Sequence, residues 1–421
     1  MKLSEAINSQ RSRVSPSVQQ ERAVLGKTAE FLSKVRKAHR QVVVGGSLAK
    51  GTWLPGIVDI DVFALYDYRM HEKKSRELSD ILARKLTRAF RKAKRLHGSR
   101  DYFVIDFKGL KFEVVPILKI SKAGQARNIT DVSPLHTNWV RKNSDKRLRD
   151  EVRLSKAFID AQGCYGAESY IGGFSGYVCE VLTLHYGSFE KLLRKAAKWK
   201  DREFIDPEGH YRTSRAAELA LNSEKMQSPI ILIDPVDRDR NAAAALTEEK
   251  FLALKKAASQ FVKKPSQTFF VRKGISIEGL QEEARKKNLQ LLAVKVACPA
   301  GKGDIVGAKL RKASEHFCSV LARNEFKVRK YGFLWPGKSE GWLYYSLPRE
   351  KLSRAFEHKG PLLKQEEHAA AFRKKWKRAR VKNGRLFASA KRQFREPRSC
   401  IEASLQQKPK SLKSFRFRLV E

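Results

Sequence analysis

Along the first third of the chain the spacing of apolar residues switches between helical and strand periods. EFLSKVRKA carries a helical stripe, and QVVVGG, shortly after it, is a β-branched run closed by glycines that reads as a strand. The next run, IVDIDVFAL from Ile57 to Leu65, is short, apolar and β-branched, and suits a buried strand better than a helix. Side chains alternate across a strand, so Asp59 and Asp61 emerge on one face while Val58, Ile60 and Val62 go to the other. Leu78, Ile81, Leu82, Leu86, Ala89 and Phe90 then share one stripe of an amphipathic helix. DYFVIDF and KFEVVPIL follow, separated by a turn at Lys108-Gly109, as a hairpin that brings Glu113 near the two aspartates.

From about residue 149 the period is helical. EVRLSKAFIDAQG closes at Gly163, GYVCEVLTLHY closes at Gly187-Ser188, and FEKLLRKAAKW starts again beyond it. PIILIDPVD reads as a strand entering a turn, and Thr247 as the cap of EEKFLALKKAASQFV. LLAVKVAC, KLRKASEHFCSVLARN and GWLYYSL give strand, helix and strand. The pattern divides the chain into 1–148 (α/β), 149–217 (helical), 218–345 (α+β) and 346–421 (basic, with interleaved aromatics), an α+β multidomain protein. At 421 residues the chain exceeds what one core usually serves.

The formal net charge of +42 and pI near 10.2 select a polyanion as partner, nucleic acid first. The bland alternative is a niche that tolerates excess lysine. The five cysteines show no C-x-x-C spacing, which argues against a disulfide framework and a zinc knuckle and fits a reducing cytoplasm. The start, MKLSEAINSQ, lacks an apolar leader core, and no run of roughly eighteen apolar residues could span a bilayer. A soluble cytoplasmic protein without a membrane role is expected.

The chemistry concentrates in GGSLAKGTWLPGIVDID, from Gly45 to Asp61. A phosphate-binding P-loop needs Gly-Lys-Ser/Thr after four spacer residues, whereas here Lys50 precedes Gly51, so that match fails. Two acids on one face of an apolar strand repel each other and resist burial, and a bound cation relieves both problems. Glu113, standing among valines in FEVVP, is the natural third ligand of such a site; the other reading is a glutamate on the solvated face of an edge strand. The turn at Gly45-Gly46-Ser47 directs backbone N–H groups and a hydroxyl towards a triphosphate. Two metal ions about 3.5–4 Å apart would then stabilise the attacking and leaving oxygens of a nucleotidyl transfer.

GGSLAKGTWLPGIVDIDVF resembles the signature of the DNA polymerase β-like nucleotidyltransferases. The surrounding VSPLHTNWV, EVRLSKAFIDAQGCYGAE, GGFSGYVCEVL, IDPVDRDRNAAAAL and PSQTFFV resemble, in order, the archaeal-type (class I) CCA-adding enzymes, over roughly residues 1–360. The resemblance implies a catalytic head (1–148), a nucleotide-binding neck (149–217), and a body (218–345) and tail (346–421) that bind the tRNA acceptor stem. It also implies template-free addition of C, C and A to tRNA 3′ ends from CTP and ATP, and leaves room for a homodimer. By position Asp59, Asp61 and Glu113 match the ligands of two Mg2+ ions; Gly46, Ser47 and Lys50 match contacts to the incoming nucleotide in the head. His136, Lys156 and Tyr165 match further nucleotide-binding positions, and Arg240 the arginine that reads the base edge.

Taken singly, Lys156 also fits a solvated helix face, His136 a packing role beside the turn after Pro134, and Arg240 a surface salt bridge. Lys50 stands where the family often has arginine, which replaces a bidentate fork by a point charge. Glu113 stands where aspartate is common, and the ending SLQQKPKSLKSFRFRLVE diverges. The rival readings are an RNA-tailing poly(A) or poly(U) polymerase, a small-molecule nucleotidyltransferase, and an RNA-binding protein with a relic catalytic head.

Overall fold

In the computed structural model, which describes residues 2–56, 59–221, 226–272 and 274–420, the early apolar runs become one five-stranded sheet. Its strands are β1 (Val42–Val44), β2 (Asp59–Asp67), β3 (Lys94–Leu96), β4 (Tyr102–Phe107) and β5 (Leu110–Lys119), in the order β1-β2-β5-β4-β3. Only β2 and β5 run parallel; the other neighbours are antiparallel. The β4–β5 hairpin turns on Lys108 and Gly109, with φ of 50° and 77°. Two positive φ values are what a tight turn matched to strand twist requires. Ile57 and Val58 lie outside the described residues.

Alternation along β2 sends Ile60, Val62, Ala64 and Tyr66 into a core with Phe112, Val114 and Leu118 of β5. That core is closed by Phe31, Leu32 and Val35 of α2 (Val18–Ala38) and by Leu78, Leu82 and Leu86 of α5 (Leu78–Ala89). The opposite face carries the acids and, further along, a small apolar group of Phe63, Val115 and Ile117. Two very short helices border the sheet, α3 (Gly46–Lys50) in the glycine turn and α4 (Tyr68–His71) after β2.

The helical module follows. It holds α6 (Ser133–Lys142), α7 (Lys146–Ala161), α8 (Gly176–Tyr186), α9 (Phe189–Ala196), α10 (Ser214–Ala220) and α11 (Glu248–Lys263). A three-stranded sheet, β6 (Glu203–Ile205), β7 (Ile230–Asp234) and β8 (Asp237–Asn241), accompanies it. Local signals set these ends: Asp145 and Ser175 cap α7 and α8, Gly187 ends α8 at φ 81°, and the Thr247 hydroxyl caps α11. The amino-terminal helix α1 (Leu3–Val14) packs into this module's core through Ala6, Ile7 and Val14. Sheet and helical module belong to one compact unit, Met1–Lys273.

The second unit, Gly274–Glu421, has its own core. A sheet in the order β10-β11-β9-β15 is built from β9 (Leu289–Ala297), β10 (Lys330–Leu334), β11 (Glu340–Pro348) and β15 (Arg416–Val420). The last strand therefore returns to pair with β9, with Phe417 opposite Val296. The helices α12 (Ile277–Lys286), α13 (Gly303–Arg323) and α15 (Pro397–Gln406) complete this layer. A smaller sheet, β12 (Ala355–Leu362), β14 (Arg385–Lys391) and β13 (Arg380–Lys382), accompanies α14 (Glu366–Lys375). Among the described residues no helix is long and apolar enough to cross a membrane.

Candidate active site

The parallel pairing of β2 with β5 sets Asp61 opposite Glu113 and Asp59 opposite Lys111. With a side-chain period of two, all four side chains stand on the same face of the sheet. Lys111 Nζ lies 3.2 Å from both Asp59 Oδ1 and Glu113 Oε1, so those two oxygens are at most twice that far apart. Burial, followed by the negative charge of Glu113, pushes the Asp61 carboxyl up to about 6, with Lys50 opposing and Asp59 adding to the rise. β5 is an interior strand, so Glu113 is not on a sheet edge.

The glycine turn is shaped around these acids. The Gly45 N–H donates to the Asp61 carbonyl at 2.8 Å. Gly46 has φ +56°, and a methyl group there would fall 1.8 Å from Asp61 Oδ2. One on Gly45 would fall 2.0 Å from the Phe63 ring. A side chain at either position would displace the Phe63 ring or the Asp61 carboxylate. Ser47, half-buried, follows directly in α3.

Three carboxylates on one face make a hard-oxygen donor set suited to a divalent cation. The lysine ammonium shared by Asp59 and Glu113 places a positive charge between two of the three acids, as a bound cation would. The residues therefore fit a metal. Among the described residues no three acidic, histidine or cysteine side chains already converge as tightly as ligands around an ion.

Four predicted nucleotide-binding residues are gathered on two buried carboxylates that the sequence did not single out. Lys50 Nζ donates to Glu180 Oε2 at 2.8 Å, and Lys156 Nζ donates to Glu180 Oε1 at 2.7 Å. The Thr52 hydroxyl donates to the same Oε1 at 2.6 Å. Burial opposes ionisation of Glu180, but the charges of Lys156 and Lys50 outweigh it and hold the carboxyl down at about 2. Lys156 is thus buried within the fold and not on a solvated helix face. Arg153 of α7 donates to the carbonyls of Trp53 and Gly51, at 3.1 and 2.6 Å, tying the same loop to the helix.

Asp234, at the end of β7, is the second carboxylate. It binds His136 Nε2 at 2.9 Å, accepts from the Tyr177 hydroxyl at 3.0 Å, and pairs with Arg240. Its carboxyl also sits at about 2, because the bond and charge of His136 and the charge of Arg240 overcome burial. Arg240 is therefore bound to a fully buried acid, unlike a surface salt bridge, while His136 packs on Tyr177 with ring centres 4.1 Å apart. Tyr177 joins the two clusters, since Lys50 Nζ lies 5.1 Å from its ring centre. Tyr165 approaches from the other side: a methyl group on Gly176 would meet its hydroxyl at 2.7 Å and Lys156 Cε at 3.8 Å. Beside Asp234 an open groove of about 610 Å³ runs past Lys122, Arg127, Val236 and Arg238.

Comparison with known proteins agrees along most of the chain. Residues 25–136 match the nucleotidyltransferase domain, 150–271 the second domain of tRNA nucleotidyltransferase, and 288–414 the C-terminal domain of CCA-adding enzyme. The CCA-adding enzyme of Nanoarchaeum equitans is 35% identical over 321 residues, covering 76% of each chain. That of Methanosarcina barkeri is 30% identical across 93% of this chain and 87% of its own. That of Pyrobaculum aerophilum is also 30% identical, across 96% and 94%. Among solved structures, the Cid1 poly(U) polymerase shares the fold alone: TM-score 0.51 at 13% identity, over 64% of this chain and 98% of that one. With the nucleotidyltransferase domain, the second domain and the C-terminal domain matched in succession, and with these relatives, the chain belongs to the CCA-adding enzymes, a family of nucleotidyltransferases.

Proposed function

We propose that this chain builds and repairs the 3′-terminal CCA of tRNA from CTP and ATP, in the site bounded by the acid face of β2 and β5. The observation that carries the reading is the register that sets Asp61 opposite Glu113, two positions from Asp59 on the same strand face, behind a glycine turn with no room for a side chain. Asp59, Asp61 and Glu113 would hold divalent cations, two Mg2+ in this reading, which supply charge neutralisation and activation of a hydroxyl.

The chain's own residues position the reactants. The terminal ribose 3′-hydroxyl attacks the α-phosphate, forming the O3′–P bond and breaking the bond to the β-phosphate oxygen, so pyrophosphate leaves. The hydroxyl proton passes to one of the carboxylates or to water. Ser47, Lys50, Lys156 and Tyr165 serve the triphosphate, and His136 and Arg240 the nucleotide's other end. Residues 1–148 act as head, 149–217 as neck, 218–345 as body and 346–421 as tail, and excess lysine and arginine neutralise the phosphates of the acceptor stem. All the named site residues come from one chain, in the cytoplasm.

The test supplies magnesium, CTP, ATP and a tRNA lacking its last three nucleotides, and sequences the product ends. Addition of C, C and A followed by a stop is expected. Continued lengthening would reassign the chain to RNA tailing, and no addition would sink the reading. Asp61→Ala is expected to lose about a thousandfold or more in rate, the scale on which one preorganised electrostatic contact acts, with tRNA affinity retained.

A further inference from the structure

Two ammonium groups share one carboxylate where the glycine turn meets α7 and α8. Both oxygens of Glu180 are committed, Oε2 to Lys50 and Oε1 to Lys156 and Thr52. Lys156 Nζ also donates to the Thr52 hydroxyl at 3.0 Å and to its carbonyl at 3.2 Å. The side chains of Lys50, Lys156 and Glu180 are 9%, 3% and 1% exposed. One glutamate needs one cation; a second buried ammonium is a costly addition that stability alone does not explain. The cluster therefore keeps a net positive charge in a largely buried place that Lys50 still opens slightly to the surface. That charge lies near the acid face: Lys50 ends the short helix α3, which begins at Gly46, where an added methyl group would fall 1.8 Å from Asp61 Oδ2. Its members come from α3 and the loop after it, from α7 and from α8, so the pair forms only when these elements are docked.

We propose that Glu180 is a positioning residue: it fixes Lys50 and Lys156 as a pair that receives the triphosphate of the incoming nucleotide, without itself touching substrate. The proposal rests on the function given above. A triphosphate brings the negative charge that the two-to-one cluster lacks, and charge-assisted hydrogen bonds from two held ammoniums are stronger than those from mobile ones. Thr52, bonded to both Glu180 and Lys156, sets the angle of the second lysine.

The experiment compares the full-length parent with Glu180→Gln, which keeps the shape and loses the charge. Initial rates are measured with CTP on tRNA lacking its last three nucleotides, together with tRNA affinity and thermal melting. The expected result is an NTP KM raised about tenfold or more, on the scale by which outer partners of ligand groups act, with kcat reduced less and tRNA affinity unchanged. Glu180→Asp should recover part of the KM. In a Lys50→Met/Lys156→Met background Glu180→Gln should add little, since residues acting as a unit are not additive. Glu151→Gln is the control, a buried glutamate that pairs with Arg11 and the Phe189 N–H; it should lower melting without moving KM. An unchanged KM in Glu180→Gln, or an equal rise in Glu151→Gln, overturns the proposal. Should Glu180→Gln not fold, Thr52→Val takes its place, and a KM unchanged there overturns it equally. A parent that adds no nucleotide defeats the proposed function instead, so the two failures are distinct.

Discussion

The cations around Glu180 and Asp234 and those at the end of the small sheet in the second unit are the same residue types in opposite circumstances. Lys50, Lys156, His136 and Arg240 are each bonded to a carboxylate that is nearly or fully buried. Lys377, Arg378, Arg380 and Lys382 are exposed, and none has an acidic partner within salt-bridge distance among the described residues. Buried pairing fixes where a charge points, because removing either partner strands the other in a poor solvent. Exposed charge fixes nothing locally but adds to a field that a polyanion feels at long range. The +42 excess is therefore not one property: a small fraction of the cations shapes a site or ties the fold together, and most of the rest make a surface.

The largest effect that separates the two classes comes from Asp234→Ala. It is expected to lower folding stability by about 3 kcal/mol, near the lower end for a broken buried pair because Arg240 can turn to water, and denaturant unfolding checks it. A loss no larger than that of a surface substitution would erase the distinction. Acid supplies the next contrast. Asp234 and Glu180 are held at about 2, below their ordinary values, so the unfolded chain takes up these protons first as pH falls. Their contribution is complete above about pH 5 and is lost as pH drops towards 2, on the order of 2 kcal/mol per group over that fall. Melting curves over that range should flatten in Asp234→Asn and Glu180→Gln, and equal slopes in parent and variants would contradict the assignment. The smallest stability change belongs to the exposed set. Replacing Lys377, Arg378, Arg380 and Lys382 by alanine should leave stability within about 0.5 kcal/mol per site. The same change should reduce the salt dependence of tRNA affinity by roughly one unit of log-log slope per phosphate contact removed.

The acid strand, the hairpin on Lys108-Gly109 and the caps at Gly187 and Thr247 were legible because each is a local signal: alternation, a positive-φ turn, a capping hydroxyl. The roles of Glu180 and Asp234 were not read, although each is a lone acid in an apolar run, VCEVL and IILID. The reasoning that picked out Glu113 among valines applies to both. What it lacks is the partner, since Glu180 meets a lysine 130 positions away and Asp234 a histidine 98 positions away. Phe394, one of the basic region's aromatics, packs against the second unit's core, whereas Trp376 lies beside His358 of β12 and Phe372 of α14. Interleaving of aromatics with lysine and arginine does not tell these cases apart, because depth is a tertiary property.

By itself the sequence determined that an acid pair shares one strand face behind a glycine turn, that the chain is strongly cationic, and where a few elements end or begin, such as α8 at Gly187 and α11 at Thr247. Periodicity, turn chemistry and charge are all written within a few residues of where they act. Only the tertiary structure decided that β2 and β5 run side by side in the register that brings Glu113 to Asp61. It alone decided that two lysines share one buried glutamate, and that the final strand returns to pair with β9. These contacts join segments far apart in the chain, and a buried charge finds its partner only once packing has removed water from between them.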